Sequence, residues 1–311
     1  MQETANYPVL LSPTLLKNSE QTVTIVICTR NRPASLMNCL NGIARLERAP
    51  DEIVVVDNTY GDTETEAVAR AFSAVYKVEP IAGLSRARNR GLASSTSDIV
   101  AFMDDDATPD AHWLEFILLP FEDPQVTTVT GRIVTPQSFI RPNSMQSARS
   151  LSNRDPEWFE IATFGGLGLG SNMAFRRDSC GDQGIFNERL GRGAPLNMGE
   201  EHYAFACLLS RGHTAVYMPD AIIFHPSAKR NEITTEARNS IAYWMLLFAE
   251  FPQHRIDLLK FLVRRLRRKP LTWPRDSPEP GEVITSGCLV LVKASLAAIL
   301  LYFRSRKPQN R

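Results

Sequence analysis

The sequence predicts an α/β fold with a mixed, mainly parallel sheet flanked by helices and followed by a C-terminal helical extension. Three observations predict it. Short apolar runs rich in β-branched residues recur at residues 22–29 (TVTIVICT), 52–58 (EIVVVDN) and 98–103 (DIVAFM). Segments with helical spacing, each about ten residues long, separate these runs, as in βαβ units. The runs also end in polar or acidic turns: Thr29–Arg32 after the first, Asp57 at the end of the second, and Asp104, Asp105 and Asp106 after the third.

In chain order, residues 1–21 form an N-terminal extension without the basic and apolar segments of a signal peptide. Strand 22–29 leads to a helix over 33–45, strand 52–58 to a helix over 63–73, and a short strand at 74–79 to a helix over 85–95. Strands at 98–103 and 127–134 follow. Residues 135–163 are polar and irregular and read as a surface excursion; residues 164–178 are glycine-rich and then apolar. A helix is expected within 199–212, a pair of strand-like runs within 214–226 and an aromatic-rich helix over 236–251. The expected domain spans 22–252, with halves 22–132 and 133–252, and is followed by a distinct segment, 253–311.

Bulk composition narrows the function. The chain has 311 residues, 43% of them hydrophobic and 22% charged, which is ordinary for a globular enzyme. A formal net charge of +1 gives no bulk attraction for nucleic acid. Cys28, Cys39, Cys180, Cys207 and Cys288 show no paired metal-ligand spacing and fit reduced thiols of a cytoplasmic protein.

The acidic triplet carries the chemistry. Three contiguous carboxylates repel one another and gain nothing from a core; their natural partner is a divalent cation, Mn²⁺ or Mg²⁺, with oxygen ligands. Parallel strands share a direction, so the turn at Thr29, the Asp57 carboxylate and the triplet should emerge at one sheet edge, where open α/β sheets bind ligands. That edge suits a nucleotide: Asp57 for base or ribose, Arg30, Asn31 and backbone groups for phosphate, and the triplet for a metal-bound diphosphate. The segment GLSRARNRGL adds Arg86, Arg88, Asn89 and Arg90, which meet phosphate or sugar hydroxyls or else line a solvated helix.

At this point the sequence resembles glycosyltransferase family 2, the inverting nucleotide-sugar enzymes of the GT-A, Rossmann-like fold. VTIVICTRNRPASL, EIVVVDN, GLSRARNRGL, FMDDDATPDAHWL, GGLGLGSNMAFRRD, FNERLGRGAPLNMGEEHYAF and AIIFHP occur in the family's order across residues 22–226. The resemblance implies that 22–132 binds the nucleotide sugar and 133–252 the acceptor. It makes Asp106 a metal ligand, Asp104 a donor contact and Asp105 a partner in that work, with Thr29, Arg30, Asn31, Asp57, Arg86 and Asn89 also on the donor. In GEEHYAFA it implies Glu201 as the base that deprotonates the acceptor, with Glu200 as the other candidate. His225, at the end of AIIF, matches a further metal ligand; Gly166 and Asn172 border the acceptor. The implied donor is most commonly a UDP-sugar, with thymidine and guanosine diphosphates open; the acceptor is a glycan, a lipid-linked molecule or a small molecule. The Gln-x-x-Arg-Trp motif of the processive synthases is missing, which implies transfer of a single sugar. A nucleotidyl or phosphoryl transferase would show a glycine-rich, lysine-containing loop after the first strand, where the chain has TRNRPAS. A non-catalytic nucleotide-sugar-binding protein would have lost acids that are all present.

The C-terminal segment reads differently. Residues 255–269 hold seven basic residues and one acid among apolar ones, the pattern of a basic amphipathic helix. Residues 283–303 carry a single charge, Lys293, at their centre. There a charge costs about 2.5–3.5 kcal/mol in a bilayer, so the expectation is peripheral contact with an anionic membrane at its cytoplasmic face rather than a span.

Overall fold

The computed structural model describes residues 21–136, 147–226 and 233–267, together with 299, 302 and 303. In chain order the elements are β1 (Val23–Thr29), α1 (Pro33–Ile43), β2 (Glu52–Asp57), α2 (Thr63–Ala71), β3 (Val75–Val78), α3 (Leu84–Ser94), β4 (Ile99–Asp104), β5 (Thr108–Pro109), α4 (Trp113–Leu118) and β6 (Val126–Val134). They continue with β7 (Arg149–Ser152), α5 (Trp158–Phe164), β8 (Asn172–Arg176), α6 (Glu200–Ser210), β9 (Thr214–Phe224), α7 (Ile233–Glu250) and α8 (Arg255–Arg267).

The strands form one sheet ordered β3-β2-β1-β4-β8-β6-β9-β5, with β7 also paired to β9. β3, β2, β1 and β4 are mutually parallel, β8 runs antiparallel between β4 and β6, and β9 is parallel to β6. This is the mixed, mainly parallel sheet the sequence predicts. β1, β2 and β4 are apolar without alternation because helices cover both faces. On one face Ile25, Ile27, Val55, Ala101 and Met103 pack with α1, α2 and α4. On the other Val26, Val54, Val56, Val100 and Phe102 pack with α3, α5, α6 and α7.

Local chemistry sets the helix starts. Pro33 opens α1, where its missing N–H costs nothing. Asp62 caps α2 by accepting the backbone N–H of Glu64 and Thr65. Gly91 lets α3 lie directly on β1, since a Cβ there would stand 2.3 Å from Val26 Cγ1.

Two sequence expectations change. The stretch read as an irregular excursion, 135–163, contains β7 and α5; residues 137–146 within it lie outside the described ones. The two strand-like runs of 214–226 are one strand, β9. Its register on β6 shifts between Met218 and Ile222, so the irregularity holds Pro219, which has no N–H to give a ladder. The amphipathic helix α8 packs directly on the sheet domain: Leu258 is buried in the same core as α5, α6 and α7, and Phe261 stacks on Phe164 at 4.0 Å. Most of 283–303 lies outside the described residues; Tyr302 is buried in that core with Arg189 over its ring.

Candidate active site

The parallel register gathers the predicted turns. Thr29 lies beside Asp57, and Cys28 beside Asp104, so the ends of β1, β2 and β4 share one edge. The three aspartates leave that edge in different directions. Asp105 turns inward and is fully buried, accepting the Thr29 hydroxyl at 2.6 Å and pairing with Arg32. Burial pushes its carboxyl up to about 6, against the opposing pull of Thr29 and Arg32. Asp104 and Asp106 stay partly exposed.

His225 meets them because of strand pairing 120 residues farther along. β5 follows the triplet and pairs antiparallel with the end of β9, Thr108 opposite Phe224. The next residue, His225, gives its backbone N–H to Val134 and its Nδ1–H to the Pro226 carbonyl at 2.6 Å. Nε2 therefore faces the carboxylates, 3.1 Å from Asp106 Oδ1 and 3.5 Å from Asp104 Oδ2. Hydrogen bonds to Asp104 and then Asp106 hold the imidazole up to about 10, and His225 in return holds Asp106 down to about 2. Asp104 is also lowered: burial opposes this, but His225 and Arg88 outweigh it.

One ligand atom from each of Asp104, Asp106 and His225 lies within 4.8 Å of the others. Two carboxylate oxygens and an imidazole nitrogen whose other ring nitrogen is anchored on a carbonyl form a donor set that fits Mn²⁺ or Mg²⁺ once Nε2 gives up its proton. A cleft of ≈ 300 Å³ lined by Asp106, Thr108, Val134, Phe224 and His225 opens beside it.

The second acidic pair sits in the first turn of α6, where the helix dipole favours negative charge. Glu200 is buried and accepts Arg88 Nη1 at 2.9 Å. Burial, then the neighbouring Glu201, push its carboxyl up to about 7, with Arg88 opposing. Glu201 differs: its Oε2 is buried with no hydrogen-bond partner among the described residues.

Arg88 joins the two acidic sites. It is 3% exposed, and its guanidinium reaches Glu200, the Gly170 carbonyl at 3.0 Å and Asp104 Oδ1 at 3.7 Å. The sequence places it among three arginines of one motif; only the structure puts it in the buried stripe Ala87, Arg88, Gly91, Leu92 of α3. Arg32 is the other addition: it lies in the predicted turn and holds Asp105 and Asp106.

Several predicted contacts have other tasks. Asp57 is fully buried and closes the turn after β2, accepting the Thr59 hydroxyl, the Asp62 N–H and the Tyr76 hydroxyl. Arg86 pairs with Glu188 at 2.7 Å. Asn89 gives its amide to the Phe186 carbonyl and accepts the Phe186 N–H, so it fastens the loop before α6. Asn172 has internal partners. It is fully buried, accepts Trp113 Nε1–H at 2.8 Å and donates to the carbonyls of Arg132 and Ala221, so it ties α4 to β6 and β9. Gly166 has φ +129 and stands against Ile161. The close approach made by this glycine run is internal: a Cβ on Gly170 would lie 2.8 Å from Arg88 Nη2. Arg30 and Asn31 are exposed at the turn after β1, Asn31 with φ 54.

Comparison with known proteins agrees with this geometry. Residues 24–183 match the family described as Glycosyl transferase family 2. The glycosyltransferase AglE of Haloferax volcanii is 26% identical over 87% of this chain and 90% of its own length. The succinoglycan biosynthesis protein ExoM of Rhizobium meliloti is 30% identical over 68% of this chain and 69% of its own. Among solved structures, a mannosyltransferase of Pyrobaculum calidifontis superposes with a TM-score of 0.57 at 15% identity, covering 93% of this chain and 89% of that one. With the motifs, the sheet order and the acidic edge in agreement, the chain belongs to glycosyl transferase family 2 and is a glycosyltransferase of the nucleotide-sugar-binding GT-A fold.

Proposed function

We propose that the protein is an inverting glycosyltransferase that moves one sugar from a nucleoside-diphosphate sugar to a hydroxyl of a glycan, lipid-linked or small-molecule acceptor. A UDP-sugar is the first choice of donor. The mannosyltransferase of the same fold was solved with GDP-Man and Mn²⁺, which keeps guanosine diphosphate in the screen. The observation that carries the reading is the Asp104–Arg88–Glu200 link, which sets a metal-type donor cluster and an acidic helix start in one site. Residues 22–132 serve the donor and 133–252 the acceptor.

Asp104, Asp106 and His225 would hold the divalent metal, which supplies positive charge against the donor diphosphate. Glu201 takes the proton of the acceptor hydroxyl. The oxygen's electron pair forms the new bond to the anomeric carbon, and the bond to the diphosphate breaks with its pair leaving on the phosphate oxygen. Base and leaving group on opposite sides of the sugar give inversion. Thr29 and Arg32 fix Asp105 and so hold the triplet's backbone in place. A second reading makes Glu200 the base, since a carboxyl pushed up to about 7 suits proton transfer at neutral pH; its engagement by Arg88 favours Glu201. Incubation with UDP-, GDP- and dTDP-sugars, with the product's anomeric configuration read by NMR, tests the class: inversion is expected, and retention contradicts it.

A further inference from the structure

α8 is apolar on two sides, and among the described residues only one of them is packed into the fold. Its inner side is anchored: Leu258 is buried, its carbonyl accepts Trp244 Nε1–H, and Phe261 lies flat on Phe164. Its outer side presents Ile256, Leu259 and Val263 at 67%, 47% and 45% exposure. At about 100° per residue these three fall within an arc of roughly 60°. They line a groove together with Lys260 and Arg264. A helix whose polar face is this narrow is not made for water.

The charge around the apolar row identifies what covers it. Residues 255–269 hold seven basic residues against Asp257, and Lys260, 64% exposed at the edge of the row, stands 4.0 Å from Asp257 Oδ1, itself 51% exposed. Arg264 reaches back to Glu160 on α5, which fixes that side of the helix to the domain. Long basic side chains flanking a row of exposed aliphatics match an anionic lipid surface: the aliphatics enter the headgroup boundary while the charges stay at phosphate level. No helix among the described residues is long and apolar enough to cross a membrane. We propose that the outer face of α8, through Ile256, Leu259, Val263 and Lys260, docks the protein on an anionic bilayer surface.

Vesicle flotation of the full chain tests this without any assay of sugar transfer, so the reading of the active site stands or falls separately. The probes are pure phosphatidylcholine vesicles and equimolar phosphatidylcholine–phosphatidylglycerol vesicles. The wild-type chain is expected to float with the anionic vesicles and not with the neutral ones. The triple variant Ile256→Ser, Leu259→Ser, Val263→Ser, with an unchanged melting temperature, is expected to lose more than about tenfold of the floated fraction, and Lys260→Glu to lose part of it. Failure of the wild-type chain to float overturns the proposal, as does flotation of the triple variant at the wild-type level, which would assign binding to residues 268–311. A wild-type dimer that the triple variant converts to a monomer would overturn it in favour of a second copy of the chain on this face.

Discussion

Three adjacent aspartates have three environments, and their neighbours decide which does what. Asp105 is spent on the fold, gripped by Thr29 and Arg32, while Asp104 and Asp106 share His225. Asp106→Ala is therefore expected to lower transfer by about a thousandfold or more at any metal concentration, measured as initial rate against Mn²⁺. Glu201→Gln keeps the carboxyl's shape but removes the base. Turnover should fall about 10²–10⁴-fold with donor affinity nearly unchanged; a normal rate in this variant with a dead Glu200→Gln would move the role to Glu200. Arg88→Met leaves Glu200 buried beside Glu201 without its cation, a loss of about 3–5 kcal/mol once ionised. Glu200 has its carboxyl raised to about 7 by burial. A raised carboxyl favours the folded state most below its unfolded value and loses that contribution as pH rises through the folded one. The Arg88→Met deficit in melting temperature should thus be small near pH 5 and grow through pH 7 and above. The sequence showed the acids because they are contiguous or terminate strands. It did not separate Arg88 from Arg86, because a partner 112 positions away is invisible in local spacing.

At the scale of elements, the strands that carry the site were the readable ones. β1, β2 and β4 are buried on both faces and therefore uniformly apolar, and their parallel direction fixed where their polar ends emerge. β7, with the sequence RSLS, buries only Leu151 and has no such pattern. The sequence shows two strand-like runs within 214–226 because Pro219 interrupts the pattern; pairing with β6 on both sides of the irregularity makes β9 one element. Glycines followed the same logic. The run 164–178 was legible as glycine-rich, but not what Gly168 and Gly170 approach, which is Thr130 and Arg88. Gly91 is the sharpest test of helix placement: Gly91→Ala pushes a Cβ into Val26 and should cost about 1–3 kcal/mol of stability. The check is chemical denaturation at constant m-value.

For the whole molecule, the sheet brings residues from three widely separated regions to one edge: Thr29 and Arg32, then Asp104 to Asp106, then His225 across β5 and β9. Family resemblance put His225 beside the triplet, and the antiparallel pairing of Thr108 with Phe224 supplies the physical reason. The C-terminal part was legible only as a basic amphipathic pattern; which face packs inward depends on Phe164 and Trp244, which no local spacing reveals. The central claim is that Asp104, Asp106 and His225 hold a divalent cation together with a nucleoside diphosphate. Thermal unfolding with UDP, GDP and dTDP, each with and without Mn²⁺, tests it most directly. One nucleotide should raise the melting temperature only when Mn²⁺ is present, with stabilisation approaching about 2.7 kcal/mol at a hundred times its dissociation constant, and Asp106→Ala should abolish the shift. Equal stabilisation without metal, or an undiminished shift in Asp106→Ala, would contradict the account.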